Sequence, residues 1–358
     1  MIGRVTICEP HLYSGELPCP WPHCRPANAV NILDRTFTAT RFAGARGEDL
    51  YDWVADHRTA AFSLAKLTRR TVVELNGEPF SGGDGLLYHY ASCTTFEAIL
   101  ASREMWISDY RALNDTTEVS FGRAVAEATF ATHGESSVFR ELLTNCLATS
   151  LNESFFVASF SLEGDCLNQW RAYGDDCKGV SIGFGVFAFA ELIAHDPQAI
   201  TLSRVTYDHD VQALLFRTLA LLARQIFDLD EIRGKHEPAI LVRELQRTIS
   251  ELLPLCKNSA FTDERECRLI VVPCLTLSGV TGGIDVRHRD GVDGPVAYVT
   301  TRDIARDFEL PIEAVVTGPW ITAAGLERVR ATASALSLRL RQSMVPLRRP
   351  PEAGFASA

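Results

Sequence analysis

Two acidic residues and one arginine occupy alternate positions in the segment DERECRLIVVP at 263–273. Successive side chains of a β-strand point to opposite faces of a sheet, so we expect Glu264, Glu266 and Arg268 to share one face. Charged side chains are costly to bury without partners, and carboxylates beside a guanidinium suit either ion pairing or acid–base chemistry. The pattern therefore predicts either a salt-bridge ladder on an edge strand or a functional site.

A histidine lies in a second segment with strand character, LLYHYAS at 86–92. On a strand, His89 would point to the face opposite to that of its neighbours Tyr88 and Tyr90. An imidazole in this position is either hydrogen-bonded within the sheet or available to a ligand.

Hydroxyl and aromatic residues are concentrated in a third segment, ASFSLEGDCLNQWRAYG at 158–174. Ser159 and Ser161 alternate on a predicted strand, and a short helix follows. Trp170 and Tyr173 are three residues apart on this helix, so their rings meet on one face. There they either cover a pocket or belong to the core.

Three of the ten cysteines cluster near the start of the chain, in CEPHLYSGELPCPWPHC at 8–24. A structural zinc ion is usually bound by four sulfur or nitrogen ligands in a tetrahedron. The spacing differs from the common C-x2-C pairs, so the segment is either a proline-rich coil with incidental thiols or a zinc-binding turn. The zinc ligands would be Cys8, His11, Cys19 and Cys24.

The formal charge of −10 argues against a protein that coats DNA or a membrane surface. The longest apolar stretch, at 213–229, contains Arg217 and Arg224, which favours an amphipathic helix over a membrane span. No charged-then-apolar leader opens the sequence, so we expect a cytoplasmic protein that has no contact with membranes.

Composition divides the chain into three parts. Residues 1–80 form a predicted N-terminal appendage, with a helix at about 47–74 indicated by apolar residues at helical spacing. The turn-rich sequence at 76–85 marks the boundary to the main domain. This domain spans 81–350, and residues 351–358 form a predicted disordered tail.

The main domain is predicted to alternate strands with helices of unequal length, which is typical of an α+β domain rather than a regular βαβ winding. The predicted strands are 86–90, 105–110, 157–162, 179–185, 201–207, 266–273, 296–300, 312–317 and 338–346. The predicted helices are 94–103, 114–149, 165–174, 186–195, 209–256 and 321–335. Asn114 lies where a strand passes into a helix, a position that helix capping alone explains.

Taken together, these segments resemble the bacterial domain of unknown function 2971 family over about residues 86–348. The resemblance rests on the order of short motifs, which are YHYAS, MWISDYRALND, SFS, QWRAYGDDCKGVSIGF, E-x-E-x-R, IEAVVTGP and S-x-VPLR. That family looks like a distant relative of ADP-ribosyltransferases, whose sites carry a histidine or arginine on the first strand and a glutamate on a later one. The resemblance implies an ADP-ribosyltransferase-like core, which is a split mixed or antiparallel sheet with helical insertions.

The resemblance also implies roles in chemistry on NAD. Cleavage of the nicotinamide–ribose bond builds positive charge on the ribose, and a nearby carboxylate stabilises that charge. Glu266 is implied in this role, and Glu264 would orient or deprotonate the acceptor. His89 would hydrogen-bond a ribose hydroxyl or the carboxamide.

Other residues would hold the remaining parts of the dinucleotide. Tyr173 or Trp170 would stack on nicotinamide, and Arg268 or Arg171 would neutralise the pyrophosphate. The serines would steady Glu266 or the ribose. The rest of the implied binding set is Tyr90, Ser159, Ser161 and Asn114.

The expected function is therefore transfer of ADP-ribose from NAD to a macromolecular or small-molecule acceptor, as a toxin or phage-defence effector. A related alternative is an NAD glycohydrolase, in which water is the acceptor. A third is a non-catalytic module that senses nucleotides or binds proteins. The acidic composition disfavours DNA as the acceptor and leaves proteins, RNA and small molecules.

Metal analysis tests the zinc interpretation. The change Cys19→Ser removes one of the four proposed ligands, so the purified variant should contain less zinc per chain than the unmutated protein. An unmutated protein that contains no zinc would contradict the interpretation.

Overall fold

The structure is a computed structural model that describes residues 57–77, 84–112, 117–133, 137–150, 154–196, 199–233, 238–273, 284–291 and 294–346. The proposed zinc ligands, Asn114 and the predicted tail lie outside these ranges. Their predicted roles stay predictions.

Within the described ranges, ten strands form one open, mixed sheet, which confirms the predicted α+β class. The strands are β1 (Leu86–Ala91), β2 (Trp106–Asp109), β3 (Phe156–Ser161), β4 (Val180–Gly185), β5 (Ile200–Arg204), β6 (Glu266–Val271), β7 (Arg287–Gly291), β8 (Gly294–Thr300), β9 (Ile312–Thr317) and β10 (Arg339–Gln342). Their main order is β10-β9-β4-β1-β3-β2-β8-β7, while β6 pairs with β3 and β5. The pair β9 and β10 is parallel, and the other strand pairs are antiparallel.

Helices cover both faces of the sheet. They are α1 (His57–Asn76), α2 (Cys93–Ser102), α3 (Thr117–His133), α4 (Ser137–Ser150), α5 (Leu167–Ala172), α6 (Ala188–His195), α7 (His209–Arg233), α8 (Pro238–Leu252), α9 (Thr301–Ile304) and α10 (Ala323–Ala335). Short 3-10 turns occur at Tyr110–Ala112, Leu253–Leu255 and Ser259–Glu264.

The sheet splits at β3. Along one edge β3 pairs with β6 over its whole length, from Phe156 to Ser161. On the other edge β2 pairs with Phe156 and Val157, whereas β1 pairs with Ser161. No described strand pairs with residues 158–160 on this edge, so a gap opens between β1 and β2.

The two faces of the sheet carry different cores. On one face, Phe160 and its neighbours join a continuous apolar cluster with α2, α6 and α10. On the opposite face, Val157 belongs to a cluster formed mainly by residues of α1, α3, α4, α7 and α8, whereas Tyr88 and Tyr90 join a smaller cluster with Trp170. Because side chains alternate along β3 and β6, a stripe of polar side chains lies on this second face, between the cluster of Val157 and the cluster of Trp170.

Helix α1, from the predicted appendage, packs into the main body. Leu64 and Val72 are buried in the same apolar cluster as Val157, and the helix lies against α7 and α8. It overlaps the helix predicted at about 47–74 and ends at Asn76. Residues 78–83, inside the predicted boundary, lie outside the described ranges.

One local prediction was wrong, and one strand was missed. Glu264 is not part of β6, because it ends the 3-10 turn at Ser259–Glu264, and Arg265 follows in the left-handed conformation with φ of 44°. Strand β7 was not predicted, because its sequence RHRDG has no apolar residue to indicate a strand.

The long apolar stretch forms part of α7. Phe216 and Leu219 are buried there and Arg217 is exposed, which confirms the amphipathic prediction. Among the described residues, no helix has the length and apolar character to cross a membrane.

The two tryptophans Trp170 and Trp106 give a matched test of this fold. Trp170 is fully buried, and Trp106 is 49% exposed. Trp170→Ala should lower the free energy of unfolding by about 3–5 kcal/mol because it leaves a cavity, whereas Trp106→Ala should cost about 1 kcal/mol. Urea denaturation checks both values, and equal losses would contradict the burial described.

Candidate functional site

A cavity of about 270 Å³ opens on the polar stripe, at the gap between β1 and β2. It brings together residues that the sequence analysis drew from three separate segments. The predicted residues that line it are His89, Tyr90, Ser159, Ser161, Tyr173, Glu264, Glu266 and Arg268. Further lining residues that were not predicted include Trp106, Ser108, Gln169, Lys257 and Arg289.

Two carboxylates and two cations form a buried cluster on one side of this cavity. The Lys257 ammonium lies 2.5 Å from Glu264 Oε2 and 2.9 Å from Glu266 Oε2. The Arg268 guanidinium donates two hydrogen bonds to the Glu266 carboxylate, at 2.6 and 2.9 Å, and a third to the carbonyl of Pro254. Because the charges balance and are hydrogen-bonded, the cluster avoids the cost of an unpaired buried ion.

The cluster keeps Glu266 ionised. Burial opposes ionisation, but the charges of Arg268 and Lys257, with hydrogen bonds from Arg268 and Ser159, outweigh it and lower the pKa of Glu266 to about 2. Glu266 is therefore an anion at any pH near neutrality. Its carboxylate is bound by Arg268, Lys257 and Ser159.

The interpretation of an edge-strand ladder was wrong. Strand β6 is interior, because β3 pairs with one of its edges and β5 with the other. Glu266 and Arg268 do share one face of β6, as predicted, and Arg268 is only 1% exposed. Glu264 reaches the same cluster from the preceding 3-10 turn.

Lys257 is the member of the cluster that the sequence analysis missed. Its backbone N–H donates to the carbonyl of Thr206, and its own carbonyl accepts a hydrogen bond from Gln212. The ammonium also lies 5.1 Å from the centre of the Phe261 ring. Lys257 precedes β6 in an irregular segment, so no strand or helix periodicity linked it to the two glutamates.

His89 lies at the gap in the sheet. Its Nδ1 is 3.1 Å from the carbonyl oxygen of Ser159, one of the β3 residues without a strand partner on this edge. Because a carbonyl only accepts, Nδ1 carries the hydrogen, and a neutral ring keeps Nε2 as an acceptor. Burial lowers the pKa of His89, although the bond to Ser159 opposes this, so the ring is neutral at pH 7.

The predicted hydroxyl groups have distinct partners. The Ser159 side chain hydrogen-bonds Glu266. Ser161 instead donates to the carbonyl of Glu264 at 2.7 Å. The Tyr90 hydroxyl donates to the carbonyl of Glu163 at 2.8 Å and accepts from the backbone of Cys166. Ser159 therefore holds the carboxylate, whereas the other two hydroxyls hold the surrounding loops.

Of the two predicted stacking aromatics, only Tyr173 lines the cavity. It ends helix α5 and is 37% exposed. The Trp170 ring is fully buried, packs edge-to-face on Tyr90 at 4.8 Å, and donates its N–H to Asp165. No face of Trp170 is left for a ligand.

The two arginines predicted for a pyrophosphate are not placed for it. Arg268 is buried and committed to Glu266 and Pro254, and exposed Arg171 does not line the cavity. Arg289 of β7, which the sequence analysis missed, is exposed and does line it. The exposed arginine that lines the cavity therefore belongs to the edge strand β7 rather than to β6 or α5.

The arrangement combines a fixed carboxylate, a neutral histidine, an exposed tyrosine and an exposed arginine around one opening. Such a set suits a neutral or anionic ligand in which positive charge develops during reaction. Within the described ranges, no group of three or more His, Cys, Asp or Glu side chains could hold a metal ion.

A second, more open cavity of about 410 Å³ lies nearby and is lined by Phe121, Tyr207, Asp208, His209, Asp210, Asn258 and Ser259. The Tyr207 hydroxyl accepts a hydrogen bond from the backbone N–H of Glu266 at 2.9 Å. Both cavities therefore have a wall at the start of β6.

A family model described as Protein of unknown function (DUF2971) matches residues 169–269. The match supports the resemblance to that family over the stretch from α5 to β6, which contains the whole charged cluster. No curated protein and no solved structure matches the chain. The ADP-ribosyltransferase-like part of the resemblance remains a proposal.

The lowered pKa of Glu266 predicts a particular dependence of stability on pH. Its folded value of about 2 lies below the ordinary 4.5. The ionised group therefore stabilises the fold above pH 4.5, and this contribution is lost as the pH falls toward 2. Glu266→Gln should lower the free energy of unfolding by about 3–5 kcal/mol near neutral pH, and by progressively less below pH 4.5.

Urea denaturation of both proteins, from neutral pH to the lowest pH at which each still folds, measures this difference. Glu163→Gln is the control, because its carboxylate is 47% exposed and 3.6 Å from Arg265. The control should cost about 1 kcal/mol or less. A loss for Glu266→Gln that stays constant with pH would contradict the account.

Proposed function

We propose that the protein cleaves the nicotinamide–ribose bond of NAD and transfers ADP-ribose to an acceptor, on an ADP-ribosyltransferase-like split sheet. The observation that carries the proposal is one cavity at the gap between β1 and β2, which Glu266 lines from one face of the sheet and His89 from the other. The resemblance that the order of the motifs carries favours the same proposal.

In the proposed reaction the glycosidic C–N bond breaks and nicotinamide leaves with the bonding electrons. The ribose carbon becomes cation-like, and the Glu266 carboxylate stabilises it because it is ionised and already oriented. A nucleophilic atom of the acceptor then bonds to this carbon and loses its proton. Glu264 is the base that we propose for this proton.

The other lining residues would orient the substrate. His89 would accept a hydrogen bond from a ribose hydroxyl through Nε2, and Tyr173 would stack on nicotinamide. The cavity volume of about 270 Å³ is slightly below the range of about 300–1000 Å³ for sites that enclose a whole small molecule. It would therefore enclose the nicotinamide–ribose half, with the remainder of NAD at the opening.

The acceptor in this proposal is a protein, an RNA or a small molecule. DNA is disfavoured by the formal charge of −10. The setting that the resemblance implies is that of a toxin or phage-defence effector. With water in place of the acceptor, the same chemistry makes the protein an NAD glycohydrolase.

A second candidate function is nucleotide binding without turnover. It is favoured by the neutralisation of Glu266, because Arg268 and Lys257 both contact its carboxylate. An anion that is fully paired stabilises a developing cation less than one that is not.

Two charge-balanced double variants separate these functions. Arg268→Met combined with Glu266→Gln leaves Lys257 with Glu264, and Lys257→Met combined with Glu264→Gln leaves Arg268 with Glu266; both remaining pairs are already in contact. Each cluster keeps one positive and one negative charge, so neither variant buries an uncompensated ion. Chromatography of free nicotinamide measures NAD cleavage, and label transfer from NAD in a cell lysate measures modification of an acceptor.

The proposal predicts that the variant without Glu266 loses nicotinamide release by about 100-fold or more. The variant without Glu264 should keep releasing nicotinamide but transfer less label. Unmutated protein that binds NAD without releasing nicotinamide would establish the second candidate instead. Equal turnover by the variant without Glu266 would contradict the role given to that carboxylate.

A further inference from the structure

An aromatic pair with one exposed ring lies at the opening of the cavity. The Trp106 ring is 49% exposed and stacks on Tyr298, with 4.6 Å between ring centres and 30° between planes. Strands β2 and β8 hold the pair, since Ser108 is opposite Tyr298 and Trp106 is opposite Thr300. A large aromatic side chain left half in solvent, on rigid strands and beside a cavity, suits stacking on a planar ligand.

Arg289 adds a positive charge to the same place. Its guanidinium lies over the Trp106 ring in a cation–π contact, 5.5 Å from the ring centre. Of its neighbours, Arg287 is paired with Asp303 at 2.6 Å, and Arg302 lies 3.5 Å from Glu104. Within the described part of the chain, Arg289 has no ion-pair partner of this kind.

The three residues Trp106, Tyr298 and Arg289 form what we call the platform. Trp106 and Arg289 also line the cavity that contains Glu266 and His89, so the platform and the charged cluster share one opening. In a protein with a formal charge of −10, an exposed guanidinium at the mouth of a cavity is a local attraction for anions. Guanidinium groups bind phosphate with two parallel hydrogen bonds.

We propose that the platform binds a nucleoside diphosphate group, with the base stacked at Trp106 and a phosphate held by Arg289. A nucleoside diphosphate joins a planar ring to adjacent negative charges, which matches an aromatic face and a guanidinium 5.5 Å apart. The inference rests on the proposed function, in which this group is the ADP half of NAD. It assigns to the platform the half that the cavity is too small to enclose.

Calorimetry with ADP and with adenosine tests the platform without any need for turnover. Unmutated protein should bind ADP more tightly than adenosine. Arg289→Ala should weaken ADP binding at least about tenfold and leave adenosine binding nearly unchanged. Trp106→Ala should weaken both ligands by a similar factor, because it removes the stacking surface that they share.

Arg302→Ala is the matched control, because this arginine is exposed and nearby but paired with Glu104 and absent from the cavity lining. It should leave ADP binding unchanged. Failure of unmutated protein to bind ADP, or equal losses in Arg289→Ala and Arg302→Ala, would overturn the inference.

The outcomes for the platform and for the reaction are distinguishable. ADP binding that depends on Arg289, in a protein that never releases nicotinamide, upholds the platform and rejects the reaction. Release of nicotinamide that depends on Glu266, with ADP binding indifferent to Arg289, upholds the reaction and overturns the platform.

Discussion

The charge balance of Lys257, Glu264, Glu266 and Arg268 is the constraint on which the rest of the site depends. These four side chains lie between two apolar clusters on one face of the sheet, where an uncompensated charge would cost several kcal/mol. The ion pairs among these four side chains allow a stripe of polar residues to be buried in the interior. The stripe in turn keeps Glu266 ionised beside an opening, which apolar packing alone would not do.

The split in the sheet provides that opening. Because β1 and β2 share one edge of β3 without meeting, the carbonyl of Ser159 lacks a strand partner there and is paired with His89 instead. The cavity at this gap is lined by the buried, ionised carboxylate of Glu266, and Trp106 and Arg289 of the platform line it as well. In the proposed reaction, substrate binding and charge stabilisation would therefore fall to different strands around one gap.

Much of the fold was predictable because its strands have strong local patterns. In strands β1, β3 and β6, apolar residues either alternate with polar ones or follow one another directly. The prediction that Glu266 and Arg268 share one face is confirmed. The error at Glu264 has a local cause. Glu264 lies in a turn two positions before Glu266, and two residues on the same face of a strand have this same spacing. Lys257 and Arg289 lie in segments without apolar periodicity, so only tertiary structure brings them to the site.

A crystal structure of the full chain with an unreactive NAD analogue tests the central claim most directly. The account predicts the nicotinamide ribose within hydrogen-bond distance of Glu266 or His89, and the adenine end beside Trp106. An analogue bound in the cavity beside Tyr207, or no bound analogue at saturating concentration, would contradict it.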